Sequence, residues 1–183
     1  RCNKNEYVKA TTFDRYDLMA RDFSLKHNLA KYLPDGFLEN AILQNDKQIN
    51  VNFIGFGKTA YATMKSLIIN NQFIVKDGEK YKCKPINYYL YDKKKENLER
   101  PLFARIKKLY NSDYDLPLPD FPANISIKDI NVKSAFEEIE HLFDDNPNVF
   151  NYYFVSLPSD IENASVAKQI SKIVSKNSLI FYN

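Results

Sequence analysis

The sequence is short of the residues from which most catalytic and metal centres are built. Its 183 residues include two cysteines, two histidines and four glycines. Cys2 and Cys83 lie far apart without companions at ligand spacing, and neither His27 nor His141 has a His or Cys nearby to complete a zinc site. Structural or surface roles are expected for all four, and sparse, unpaired cysteine suits a reducing, cytoplasmic compartment. Long apolar runs are missing too, none approaching the roughly 20 residues that span a bilayer. Nor does charge of one sign dominate: the net charge is +3, and the lysines are spread out except at Lys93, Lys94 and Lys95. Without a basic stripe to track a phosphate backbone, nucleic acid is not an expected partner.

A composition 44% hydrophobic and 27% charged, with mean hydropathy −0.47, belongs to a globular chain rather than a disordered one. The length suits one domain with a single core and a helical appendage, not two full domains. Because the chain opens at Arg1 and stops at Asn183 inside an expected strand, it reads as a piece of a longer protein, truncated at its C-terminus.

Residues 1–48 read as the appendage. Asp14 can cap a helix carrying Leu18, Met19, Phe23 and Leu29, and after the Pro34-Asp35-Gly36 turn a second short helix carries Phe37, Leu38, Ala41 and Ile42. Both are expected to pack or connect, without a site of their own. Residues 49–183 alternate strand and helix, the pattern of a parallel sheet covered by helices. Strands are expected at Val51 to Ile54, Ile86 to Tyr91, Asn124 to Ile130, Tyr152 to Leu157 and Leu179 to Tyr182. The first helix turns Ala60, Met64, Leu67 and Ile68 to one face. Gln72 to Val75 and Lys80 to Lys84 form an inserted β-hairpin about Asp77-Gly78. Further helices carry Leu102, Ile106 and Leu109; Phe136, Ile139 and Leu142, after a Ser134/Glu137 capping box; and Val166, Ala167, Ile170 and Val174. Asn111 to Pro122 is a long loop rich in Pro and Asp. The expected fold is α/β and Rossmann-like, a doubly wound, mostly parallel sheet with strand order 3-2-1-4-5.

Its chemistry centres on Gly55-Phe56-Gly57-Lys58-Thr59-Ala60, where a buried strand turns into a helix. In such a G-x-G-x-x-A segment the first glycine permits the tight turn, the second lets a pyrophosphate approach the backbone, and the small third residue lets helix and strand pack closely. Free N–H groups at the helix start then face the phosphates. Gly57-Lys58-Thr59 does not make a P-loop, because Asn52 occupies the place of the required earlier glycine. Asp92 ends the second strand and is placed to accept hydrogen bonds from ribose hydroxyls, favouring NAD over its 2′-phosphorylated form. It follows Gly55 by 37 positions rather than the usual ~20, an excess that the inserted hairpin explains. Lys93, the first of the three lysines, offers the opposite preference, for NADP. Ser156 stands at the end of the fourth strand, and Asp160 and Asn163 follow it, the last an amide on an otherwise apolar helix face that needs a partner.

Together Ile54-Gly55-Phe56-Gly57, Asp92, and Ser159-Asp160-Ile161-Glu162-Asn163 resemble the TrkA-N nucleotide-binding domain of regulators of potassium conductance and related potassium-uptake subunits. The resemblance covers about Asn50 to Asn183, departing at Ala60, the hairpin and the long loop. It implies NAD(H) or an adenine nucleotide bound as a signal, and with the residues read above the expected site is Gly55, Phe56, Gly57, Lys58, Thr59, Ala60, Asp92, Lys93, Ser156, Asp160 and Asn163. It also implies a homo-oligomer, or a parent transport protein at a membrane, as partner. Two other readings stay open: the cofactor half of an NAD(P)-dependent oxidoreductase, and an interaction domain with an empty pocket.

Overall fold

The computed structural model describes residues 14–93, 123–129, 146–174 and 176–182. The expected helices around Leu102 and around Phe136, the Asn111 to Pro122 loop, Lys94, Lys95, Cys2 and His141 lie outside them. In chain order the described elements are α1 (Arg15–Lys26), a single 3-10 turn (Leu29–Lys31), β1 (Leu38–Glu39), β2 (Ile42–Leu43), β3 (Gln48–Ile54), α2 (Lys58–Asn70), β4 (Phe73–Asp77), β5 (Lys80–Lys84), β6 (Ile86–Asp92), β7 (Ala123–Asp129), β8 (Val149–Val155), α3 (Asp160–Ile170) and β9 (Ser178–Tyr182).

Five strands form a parallel sheet in the order β7-β6-β3-β8-β9. This is the 3-2-1-4-5 order of a Rossmann-like sheet, whose switch point falls between β3 and β8. Alternation along the strands divides the core in two. Val51 and Phe53 face Ala60, Met64 and Leu67 of α2, whereas Ile54, Tyr153 and Val155 face Val166, Ala167 and Ile170 of α3. Helices thus cover opposite faces, as expected of a doubly wound sheet. The inserted hairpin β4-β5 forms its own two-stranded sheet, buries Phe73 and Val75, and turns at Gly78.

The N-terminal segment departs from expectation in two places. Instead of a second helix, Phe37, Leu38, Ala41 and Ile42 belong to a tight β1-β2 hairpin whose turn residues Asn40 and Ala41 take φ 50° and 64°. Left-handed backbone at two consecutive residues cannot continue a helix but matches the twist of a two-residue hairpin loop. The apolar spacing fitted either structure, since six residues are too few to separate the periods. In α1, Asp14 does cap the first turn by accepting from Tyr16 N–H at 2.8 Å. Yet Leu18 and Met19 are exposed, and the helix buries Ala20 and Ser24 instead. Leu29 lies beyond the helix in the 3-10 turn. As expected, α1 docks through Phe23, whose ring packs edge-on against Phe154 and Phe181, and also through polar contacts: Ser24 Oγ lies 2.7 Å from Ser66 Oγ, and Lys65 reaches Asp17 at 2.6 Å. The strand expected at Tyr152 to Leu157 starts and ends earlier, leaving Ser156 and Leu157 in the loop, and α3 stops short of Val174.

One feature of the sheet went unnoticed in the sequence. On the α3 face, Asn124, Asn87, Asn50 and Asn151 stand in register across four adjacent strands. Their amides form a chain: Asn124 donates to Asn87 at 3.0 Å, Asn87 to Asn50 at 3.1 Å, and Asn50 to Asn151 at 3.1 Å, while Gln48 also donates to Asn50 at 2.8 Å. Parallel strands pack on both faces and normally read as continuous apolar runs, so a polar row here is tolerated through mutual satisfaction. A one-residue slip of any strand would pair an asparagine with an apolar neighbour, which makes the row a register lock. Asn50→Ala is expected to cost about 1–3 kcal/mol, because it strips the buried Asn151 of its donor. Asn124→Ala, at the exposed end, should stay within about 0.5 kcal/mol. Urea denaturation of both variants checks this, and equal midpoints would show that the row adds nothing.

Candidate functional site

The site expected from the sequence lies at the switch between β3 and α2. Gly55 takes φ 81°, and a Cβ built there would stand 2.5 Å from Ser156 O and 2.8 Å from Leu157 Cδ2. Only glycine lets β3 turn this close to the loop that follows β8. The turn is held on both sides: Gly55 N–H donates to Tyr91 O at 2.9 Å, and Ser156 N–H to Ile54 O at 2.9 Å. Phe56 swings its ring into the core against Phe53 and Tyr61. Its N–H donates to Asp92 Oδ2 at 2.9 Å, so the acidic end of β6 is tied to the glycine loop itself.

Gly57 then opens α2 with ordinary extended backbone, φ −87° and ψ −166°. No side chain caps this helix, whereas α1 and α3 are capped by Asp14 and Ser159. A Cβ on Gly57 would meet nothing within 4 Å, so neither backbone angle nor packing requires glycine at this position. The first-turn N–H groups of Lys58, Thr59 and Ala60 precede the first intrahelical bond, Tyr61 N–H to Gly57 O, and are those left unsatisfied at any helix start. Ala60 is fully buried in the cluster beneath, which a larger side chain would push apart. Lys58 and Lys93 are exposed, and Thr59 is half-buried.

Asn163 has a structural partner. Its Oδ1 accepts from Leu157 N–H at 2.6 Å and its Nδ2 donates to Leu157 O at 3.2 Å, fixing the loop that Gly55 presses against. Asp160 sits exposed in the first turn of α3, where a carboxylate favours the helix dipole. Ser156 supports the loop through its backbone. The structure therefore brings Gly55, Phe56, Gly57, Lys58 and Asp92 together at the β3-α2 junction, while Ser156 and Asn163 hold the loop after β8 that faces Gly55, and Asp160 stays exposed at the start of α3.

Compared with known proteins, the chain matches no protein-family model, no curated protein and no solved structure. The site is thus read from its geometry.

Two residues near Lys58, Arg15 and Tyr16, have no signal in the sequence that singles them out. α1 and α2 run in the same direction, with Asp17 by Lys65, and Ser24 by Ser66 and Asn70. The start of α1 consequently lies beside the start of α2, bringing the Tyr16 ring 5.9 Å from Lys58 Nζ and 4.8 Å from the Arg15 guanidinium. A packing direction has no signature in the sequence of either helix. His27 sits at the opposite end of α1, its Nδ1 2.7 Å from the Tyr32 hydroxyl and its ring 4.5 Å from that of Phe181. Among the described residues, no helix is long and apolar enough to cross a membrane.

Proposed function

We propose that this domain is a regulatory module that binds NAD(H) or an adenine nucleotide at the β3-α2 junction, its occupancy biasing a larger protein. The observation that carries the reading is the contrast between its two glycines. Gly55 is required by the fold, while Gly57 leaves open space at an uncapped helix start, the arrangement that admits a pyrophosphate. Asp92, tied to the same loop at the end of β6, is assigned the ribose hydroxyls of the adenosine. A signalling rather than catalytic role follows what the sequence resemblance to TrkA-N domains implies. The link to ion transport rests on the sequence resemblance to TrkA-N domains.

Titration calorimetry with NAD, NADH, ATP, ADP and AMP tests the proposal, with thermal shift as a second readout through preferential binding to the folded state. Gly57→Val should keep the unfolding midpoint, since its Cβ meets nothing, and lose nucleotide binding, since the branched side chain fills the approach. Undiminished affinity in a folded Gly57→Val protein would move the site elsewhere. No response to any of these nucleotides at millimolar levels would leave an interaction domain without a ligand.

A further inference from the structure

Two hairpins that the nucleotide reading leaves unused meet at the other edge of the sheet. β2 leads through residues 44–47 into the start of β3, and β5 leads through Pro85 into the start of β6. The hairpins β1-β2 and β4-β5 therefore lie at the N-terminal ends of the parallel strands, whereas the Gly55 turn lies at a C-terminal end. Buried Leu43 and Val75 join both hairpins to the main core. Asn45 Nδ2 donates to Lys76 O at 2.8 Å, and Lys84 Nζ donates to Asn45 O at 2.9 Å, which ties one hairpin to the other. Between them is a cleft of about 480 Å³, within the ~300–1,000 Å³ of small-molecule sites.

The walls of the cleft carry opposite charges. Lys76 and Tyr81 are cross-strand neighbours on one face of β4-β5 and both line it, as does Glu39 from β1. Among the described residues, Lys76 and Glu39 form no ion pair, with each other or with a third group. Neighbouring acids do not compete for Lys76. Strand alternation turns Asp77 to the opposite face, where it pairs with Lys82 at 2.7 Å, and Asp46 pairs with Lys47 at 3.3 Å. Glu79 does not line the cleft. Glu39 accepts a long hydrogen bond, 3.4 Å, from Gln44. The ring of Tyr81, 58% exposed, and half-buried Ile42 add apolar surface to the same cleft.

We propose that this cleft is a second ligand site, for a free α-amino acid with an apolar or aromatic side chain. Lys76 donates to the α-carboxylate, Glu39 accepts from the α-ammonium, and the side chain lies against Tyr81 and Ile42. A zwitterion satisfies both walls at once, whereas a simple anion or cation would meet one wall and be repelled by the other. The inference stands apart from the nucleotide reading, because the two sites use different residues at opposite ends of the strands.

NMR titration of the isotope-labelled protein with L-phenylalanine, N-acetyl-L-phenylalanine and L-phenylalaninamide tests it, since the first derivative lacks the ammonium and the second the carboxylate. L-Phenylalanine should shift the backbone signals of Glu39, Gln44, Lys76 and Gly78 saturably at millimolar levels. Each derivative should bind roughly three- to tenfold more weakly, as for one exposed charged contact. Lys76→Gln should erase the preference over the amide, Glu39→Gln the preference over the N-acetyl derivative, and each should leave the other preference in place. Both side chains are exposed, so both variants should unfold at the wild-type midpoint. Absence of saturable shifts at these residues, or equal binding of the three compounds by the wild-type protein, would overturn the proposal. Survival of both preferences in both variants would overturn it too, by placing the charge recognition elsewhere.

Discussion

Gly55→Ala is expected to destabilise the domain by about 2–5 kcal/mol, combining roughly 1–2 kcal/mol for a left-handed backbone on an alanine with roughly 1–3 kcal/mol for overpacking. The added Cβ would sit 2.5 Å from the Ser156 carbonyl oxygen, a backbone atom that cannot rotate aside. Relief would require moving the loop after β8, which Asn163 clamps through both polar groups of Leu157. The strain therefore spreads instead of dissipating. In a domain of this size the corresponding fall in Tm is on the order of 10 °C. Gly57→Ala is the matched control and should stay within about 0.5 kcal/mol, because its backbone is extended and its Cβ meets open space. Thermal and urea unfolding of the pair decide the point: two equally mild variants would mean that the β3 turn relaxes freely.

Asp92→Ala should have two separable effects. Without ligand, it removes the charged acceptor of Phe56 N–H, a hydrogen bond worth about 1.5–3 kcal/mol when one partner is ionised. The Phe56 residue is buried, so water cannot easily replace the lost carboxylate. Asp92→Asn keeps an acceptor oxygen and should recover part of that stability. With ligand, the same carboxylate is assigned the ribose hydroxyls of NAD and should repel a 2′-phosphate, so the wild-type protein is expected to prefer NAD over NADP. Asp92→Ala should weaken NAD by another 1.5–3 kcal/mol, roughly ten- to a hundredfold, and narrow or reverse the preference. Measuring both dinucleotides against both proteins separates the effects. Loss of stability without loss of NAD affinity would make Asp92 a loop anchor alone. Tighter NADP binding by the wild-type protein would assign the selection to Lys93 instead.

The row of asparagines shows how pattern reading can pass over a feature written plainly in the chain. Asn50, Asn87, Asn124 and Asn151 each lie between two apolar residues near the start of a strand. Hydrophobic alternation identified those strands, but it treats each as independent. Mutual alignment appears only when strand order and register are known. The misread β1-β2 hairpin has a related cause: helix and hairpin place apolar residues alike over so short a span, and the left-handed turn at Asn40 and Ala41 settles the matter.

The strands, the inserted hairpin and the glycine turn were legible in the sequence itself, because buried strands, amphipathic helices and Gly55 obey constraints that act within a few residues, and the sheet order followed from their alternation under the rules of doubly wound folds. The shared anchoring of Asp92 to Phe56, the clamp of Asn163 on Leu157, and the arrival of Arg15 and Tyr16 beside Lys58 were decided only by tertiary structure. Each joins groups at least six positions apart, most of them on different elements. Their meeting depends on how helices and strands dock, a choice made by the whole core and encoded at no single position.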